Sequence, residues 1–245
     1  MAVPSQGSHE ILLKGEHKMS SPSENKAQNN KSNRRGFRRQ TQNRDPKRKF
    51  YIFCEGEKTE PEYFNEIRKK FIKANIDIKI SDKHGVPKTL TDMAIKKKKE
   101  IMKSKDSFEK GDQVWVVFDR DEFPLYEESI RRCDNNEIGV AFSNPCFEFW
   151  LLLHVEQYKR FNQPQDRQKT QHAAEEHLLG YKSDRNKSTN FDLLTENVDL
   201  AVRRAEQIMQ SREKEGYKRG EGNPSTSVHH LIIAIQREAN TRQRE

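Results

Sequence analysis

The sequence predicts an α/β protein built on a mainly parallel sheet, and three observations carry that prediction. Residues 50–54 (FYIFC) and 114–118 (VWVVF) are short, uninterrupted apolar runs, as expected of strands buried on both faces in a parallel sheet. Each run ends abruptly in acid, EGE after the first and DRDE after the second. Around them, stretches of helical periodicity alternate with short strand-like runs, the pattern of β-α-β units with right-handed crossovers.

Taken in order, residues 50–54 form the first strand. Pro61 then follows Glu60 at a favourable first-turn position, and Tyr63, Phe64, Ile67 and Phe71 recur at helical spacing. Residues 76–80 alternate apolar with polar, as a half-exposed strand does. Thr89 is the expected cap of a lysine-rich helix running to about residue 105, with Leu90, Met93, Ala94, Ile101 and Met102 on its buried side and the lysines of 96–99 on its solvated side. After the strand at 114–118 come a helix at 124–136, a strand at 138–142, and a helix opened by Asn144-Pro145 and running through 155. Residues 156–195 are polar, with a helix expected near 168–179 and a loop around 181–190. Two further helices are expected, at about 197–214 and 226–238, separated by the glycine-rich loop 216–224.

Charge divides the chain. Residues 1–49 hold 12 Lys and Arg against 4 Asp and Glu, which accounts for the whole net charge of +8. The first 46 or so residues are Ser, Asn, Gln and Lys/Arg-rich with few large apolar side chains, so they are expected to be a disordered basic arm. Within it Arg34, Arg35, Arg38 and Arg39 flank Phe37, a composition suited to tracking phosphates and stacking on a base, and equally that of a solubilising tail. Cys54, Cys133 and Cys146 lack metal-binding spacing and sit in or beside apolar segments, so they are expected to be buried thiols. No apolar run approaches the roughly 18 residues of a membrane span, and the expected setting is cytoplasmic and reducing.

In parallel α/β sheets ligands gather beyond the carboxyl ends of the strands, so Glu55, Asp119 and Asp121 are expected to meet at one edge. Carboxylates held that close repel one another unless a cation lies among them. Hard oxygen donors suit Mg²⁺ or Mn²⁺, and Mg²⁺ needs only one or two carboxylates when water and phosphate complete its shell. Asp119 and Asp121, one residue apart, point the same way in an extended segment; the plainer alternative is that DRD begins a turn. Glu55 is the candidate general base or acid. Glu57 is a candidate further metal ligand, and Lys58 either meets a phosphate or is simply exposed. Gly56 is expected to allow a tight turn, and Glu60 to favour the start of the following helix through its dipole.

Farther along, Glu148 is the acidic member of an otherwise apolar helix, and either reaches the carboxylate cluster or stabilises the helix start. Asn144, at a strand end, is a candidate ligand contact. Ser225 and Thr226 are placed at a helix start, where they cap it or offer amides to phosphate. His154 is expected to pack or hydrogen-bond at a helix end. The adjacent His229 and His230 point too far apart to serve one site easily, and His172 and His177 lack zinc-helix spacing.

Four strings in order, CEGEKTEPEYF, FDRDE, SNPCFEFWLLLH and NPSTSVHHL, resemble the RloB-like family, restriction-linked proteins with a TOPRIM-like catalytic fold. The resemblance implies a Rossmannoid domain over 48–155, a mostly helical portion over 156–245 that completes it, and an arm over 1–47. It implies a glutamate after the first strand, matched by Glu55, and a DxD after a later one, matched by Asp119 and Asp121. The expected activity is Mg²⁺-dependent cleavage of phosphodiester bonds in DNA or RNA, tRNA included, in antiphage defence or abortive infection. The resemblance also implies an ABC-type ATPase partner, since similar systems pair the TOPRIM protein with one; this chain has no Walker motif of its own, and a homo-oligomer is compatible with the late helices. The alternative is a non-catalytic subunit that recruits nucleic acid or the ATPase.

Overall fold

The computed structural model describes residues 48–71, 76–106, 108–120, 125–157, 159–185 and 187–242. Asp121 and the arm with Arg34, Arg35, Arg38 and Arg39 lie outside the described residues. The elements run β1 (Arg48–Cys54), α1 (Thr59–Lys70), β2 (Ile76–Ile80), α2 (Pro87–Met102), β3 (Gln113–Asp119), α3 (Tyr126–Asp134), β4 (Gly139–Asn144), α4 (Phe147–Leu152), α5 (Arg167–His177), α6 (Phe191–Glu196), α7 (Val198–Lys214), β5 (Ser225–Thr226) and α8 (Val228–Arg242), with one 3-10 turn at Glu109–Gly111.

The five strands form one sheet in the order β2-β1-β3-β4-β5. β1 is parallel to both β2 and β3, β3 is parallel to β4, and β5 alone is antiparallel. This is an α/β, mostly parallel, Rossmann-like fold, as the buried strand runs predict. Alternate residues of β1 serve opposite faces: Phe50, Ile52 and Cys54 join a core with α1, α4, α7 and α8, while Tyr51 and Phe53 pack against a second core with α2 and α3. Helices therefore cover both faces, which is why the central strands tolerate no polar alternation. The later helices share the first core with the sheet, since Ala201, Ala205 and Ile208 of α7 and Leu231 and Ile235 of α8 are buried with Phe50 and Ile52.

Three local expectations are corrected. Thr89 does not cap α2; the helix starts at Pro87, with Val86 extended at φ −62°, ψ 159°. The residue before a proline is pushed out of the helical region, and proline at the first position is already set for the helix. Met102, expected on the buried side, is 51% exposed at the last turn. Ser225 and Thr226 do not begin a helix: they pair with Asn144 and Ser143 as an edge strand, while the Ser227 amide and hydroxyl donate to the carbonyls of Phe142 and Val140, both at 2.9 Å. These hydroxyl and backbone bonds to β4 delay the helix to Val228. The short α6 lies in the stretch read as polar; Asn190 accepts from the Leu193 amide at 3.3 Å, and Phe191 and Leu194 are its buried side.

Candidate functional site

The chain leaves β1 toward β2 on one side and returns through α2 to place β3 on the other, so the order of strands reverses between β1 and β3. Such a switch point opens a crevice at the carboxyl ends, because the flanking connections depart in opposite directions. Register fixes what stands there. Cys54 is opposite Val117, and the Glu55 amide donates to the Val117 carbonyl at 2.9 Å. The Asp119 amide in turn donates to Glu55 Oε2 at 2.8 Å. Glu55 and Asp119 are thereby brought together as expected.

A cavity of about 400 Å³ opens over this pair, and Glu57, Lys58, Glu60, Glu148, Arg167, Arg185 and Lys187 are among its lining residues. Its acids come from five places in the chain: Glu55 and Glu57 from the β1–α1 turn, Glu60 from the start of α1, Asp119 from the end of β3, Glu148 from α4, and Asp184 from the loop after α5. Glu60 was not expected here. It does stand in the first turn of α1, as its expected dipole role requires, but it is also 6% exposed, and its Oε1 accepts from the Gly56 amide at 3.2 Å. Gly56 is needed for this approach and not for its backbone angle, since a Cβ at that position would lie 2.1 Å from Glu60 Oε2. The signal available in the sequence was the four-residue reach from Gly56 to Glu60, which a bulkier residue at 56 would block.

Glu148 is 5% exposed, and its Oε1 accepts a short hydrogen bond from the Tyr181 hydroxyl. Both readings of Glu148 hold, since it lies in the first turn of α4 and lines the cavity. Tyr181, itself buried, was missed because it lies in a stretch without periodicity. Arg167 Nη2 stands 3.2 Å from Asp119 Oδ2. Burial raises the proton affinity of the Asp119 carboxyl well above the usual range; Glu60, Glu148 and Glu55 add to the rise and Arg167 opposes it. Burial pushes Glu60 up to about 7, with Glu148 and Glu55 adding and the Gly56 amide opposing.

The other candidates separate clearly. Glu57 has its side chain 75% exposed and pairs with His84 at 3.2 Å, so it belongs to the rim. Lys58 is also exposed and lines the cavity. Thr59 Oγ1 donates to the Lys187 carbonyl at 2.9 Å, and Ser188 Oγ to Glu62 Oε2 at 2.5 Å, which draws the loop carrying Arg185 and Lys187 over the start of α1. Asn144 is structural: its amide donates to the Gly222 carbonyl at 2.9 Å and so clips the loop before β5. Thr226 donates to the Phe142 carbonyl at 3.0 Å and Ser225 to that of Gly222 at 2.5 Å, both away from the acidic cavity. His154 is packed as expected, bonded to the Tyr63 hydroxyl at 3.1 Å and to the Trp150 carbonyl at 3.0 Å. Cys54, Cys133 and Cys146 are buried free thiols.

Among the described residues, no group of three or more His, Cys, Asp or Glu side chains is arranged to hold a metal ion. The donor set is nevertheless one of hard oxygens, Glu55 and Asp119 with Glu60 and Glu148 beside them, and an ion that keeps water and phosphate in its shell needs no more than two of these. Among the described residues, no helix is long and apolar enough to cross a membrane.

Fold and site together define a Rossmann-like α/β protein with an acidic cavity at its topological switch point. The chain belongs to the RloB-like family: the family model described as RloB-like protein matches residues 50–235, which includes every described acid of the cavity. No curated protein and no solved structure matches it.

Proposed function

We propose that this protein is a divalent-cation-dependent phosphodiesterase acting on nucleic acid, a TOPRIM-like nuclease. The observation that carries the reading is the pairing of Glu55 with Asp119 at the ends of adjacent parallel strands, inside a cavity walled by two more buried carboxyls. Glu55 and Asp119, with Asp121 two residues on in the chain, are the residues that would hold Mg²⁺ or Mn²⁺. Such an ion supplies charge neutralisation at the phosphate and a nucleophilic water near neutral pH.

The chain's own groups do the rest. Glu60, whose proton affinity is raised to about 7, is balanced between its acid and its carboxylate at neutral pH and can take up or release a proton at Oε2. The Gly56 amide holds the other oxygen and so orients the group. Tyr181 fixes Glu148 against the cavity wall. Lys58, Arg185 and Lys187 place positive charge on the rim, where a polyanion approaches. DNA and RNA, tRNA included, share that phosphate chemistry. The role in antiphage defence and the ABC-type ATPase partner rest on the family resemblance, and they belong to this proposal.

The test is a cleavage panel of plasmid DNA, single-stranded DNA and total tRNA with Mg²⁺ or Mn²⁺, comparing wild type with Asp119→Ala. Metal-dependent cutting lost in the variant supports the reading, and cutting that survives overturns it. A second reading, a non-catalytic subunit that binds nucleic acid or the ATPase, draws on one observation: the Arg167 guanidinium pairs with Asp119 at 3.2 Å and offsets its charge. On that reading Asp119→Ala leaves partner binding intact and neither protein cuts, with or without the partner.

A further inference from the structure

Arg167 is the first residue of α5, a position that helix electrostatics disfavours for a cation. The amino end of a helix carries partial positive charge, and α5 has no acid in its first turn to offset it. The preceding residue, Asp166, caps the helix and is used locally: it accepts from the Lys169 amide at 2.7 Å and pairs with Lys169 Nζ at 2.9 Å. The Arg167 side chain reaches instead into the cavity, 3.2 Å from Asp119 Oδ2 and on the same wall set as Glu55, Glu60 and Glu148. The carboxylate best placed to hold a cation is thus already paired with one that the chain supplies. The two partners differ in exposure, the Asp119 side chain being 14% exposed and that of Arg167 38% exposed.

We infer that Arg167 is the phosphate-binding residue of this site, held on Asp119 until a divalent cation takes that carboxylate and then turned to the non-bridging oxygens of the phosphate beside it. Three points support this. A guanidinium and a divalent cation repel each other, so they cannot share Asp119 at full strength. The guanidinium fork matches two phosphate oxygens at once, which an ammonium does not. The side chain is rooted on the first residue of α5, lines the cavity and is 38% exposed, so a change of rotamer carries its charge from one acceptor to the other without moving the helix. The inference rests on the cation-dependent reading above and adds to it the residue that meets the scissile phosphate.

The experiment uses the full chain and two direct binding readouts, neither requiring turnover. Mn²⁺ binding is measured by electron paramagnetic resonance for wild type, Arg167→Ala, Arg167→Lys and Asp119→Asn, with circular dichroism confirming that each is folded. Binding of inorganic phosphate to the Mn²⁺-loaded protein is then followed through ³¹P relaxation. Loss of a partly buried competing ion pair is expected to tighten Mn²⁺ binding in Arg167→Ala by roughly fivefold. Phosphate binding to the same loaded variant is expected to weaken by about tenfold or more, the loss of a charge-assisted contact, with Arg167→Lys intermediate in both. Mn²⁺ affinity unchanged or weakened in Arg167→Ala, or phosphate affinity unchanged, overturns the inference alone. Mn²⁺ binding that is insensitive to Asp119→Asn, or absent from wild type, overturns the cation-dependent reading and this inference with it.

Discussion

Replacing Glu60 with Gln tests the burial of the cavity's inner acid directly. The change keeps the shape and the oxygen that accepts from the Gly56 amide, and removes only the ability to ionise. In the folded chain burial raises this carboxyl from its ordinary 4.5 to about 7. The sign follows from linkage. Below pH 4.5 the group is protonated in both folded and unfolded chains and contributes nothing. Between pH 4.5 and 7 the unfolded chain ionises while the folded chain resists, so stability falls as pH rises; above 7 the deficit is constant. The interval is worth on the order of 3 kcal/mol, at about 1.4 kcal/mol for each pH unit. Glu60→Gln is therefore expected to exceed wild type by under about 1 kcal/mol at pH 5 and by about 3 kcal/mol at pH 8. Urea unfolding in the presence of a chelator measures this; with a denaturant slope near 2 kcal/mol/M, the gap between the two midpoints should widen by about 1 M across that range. Groups common to both proteins cancel, and Asp119, whose proton affinity Glu60 helps to raise, shifts the difference in the same direction. Wild-type and variant curves that run parallel from pH 5 to pH 8 would refute the argument.

Other substitutions probe the supports of the site and the sheet. Gly56→Ala places a Cβ where the Glu60 carboxylate lies, so it should displace that group, flatten the same pH dependence in urea titrations, and lower any metal-dependent cleavage. Tyr181→Phe leaves the buried Glu148 Oε1 without its donor and should cost about 2 kcal/mol, seen as a fall of roughly 4–8 °C in Tm. Gly139→Ala brings a Cβ to 2.2 Å from the Trp115 ring across the β3–β4 register; a loss of about 1–3 kcal/mol in chemical denaturation is expected from overpacking. Burial holds His154 down at about 4, so it stays neutral in the fold while the unfolded chain protonates below its ordinary 6.5. Wild-type stability should therefore also fall as pH drops from 6.5 to 4, and urea midpoints for His154→Gln should lack that acid limb.

The separation of local from tertiary information is clear in particular residues. The sequence by itself determined the fold class and the places of Glu55 and Asp119, because an apolar run buried on both faces and its abrupt end in acid are properties of five to seven consecutive residues. It also located α7 to within one residue at its start, since a long amphipathic repeat signals itself without help from its surroundings. Turn and hydroxyl-rich segments were less legible: Ser225 and Thr226 suit a helix cap and an edge strand equally, and only the carbonyls of β4 decide between them. Most of the interior of the site was decided by tertiary structure. Glu60, Glu148, Arg167 and Tyr181 lie in four separate elements or loops; the apolar run around Glu148 and the spacing of Gly56 and Glu60 hint at inward carboxyls, but no local pattern picks out Arg167 or Tyr181 or says which groups meet. Their meeting depends on the parallel register that sets Cys54 opposite Val117, on α4 folding back from the end of β4, and on α5 beginning beside the cavity. Burial and charge arise from that convergence, so the raised proton affinities of Glu60 and Asp119 and the ion pair of Arg167 exist only in the folded chain.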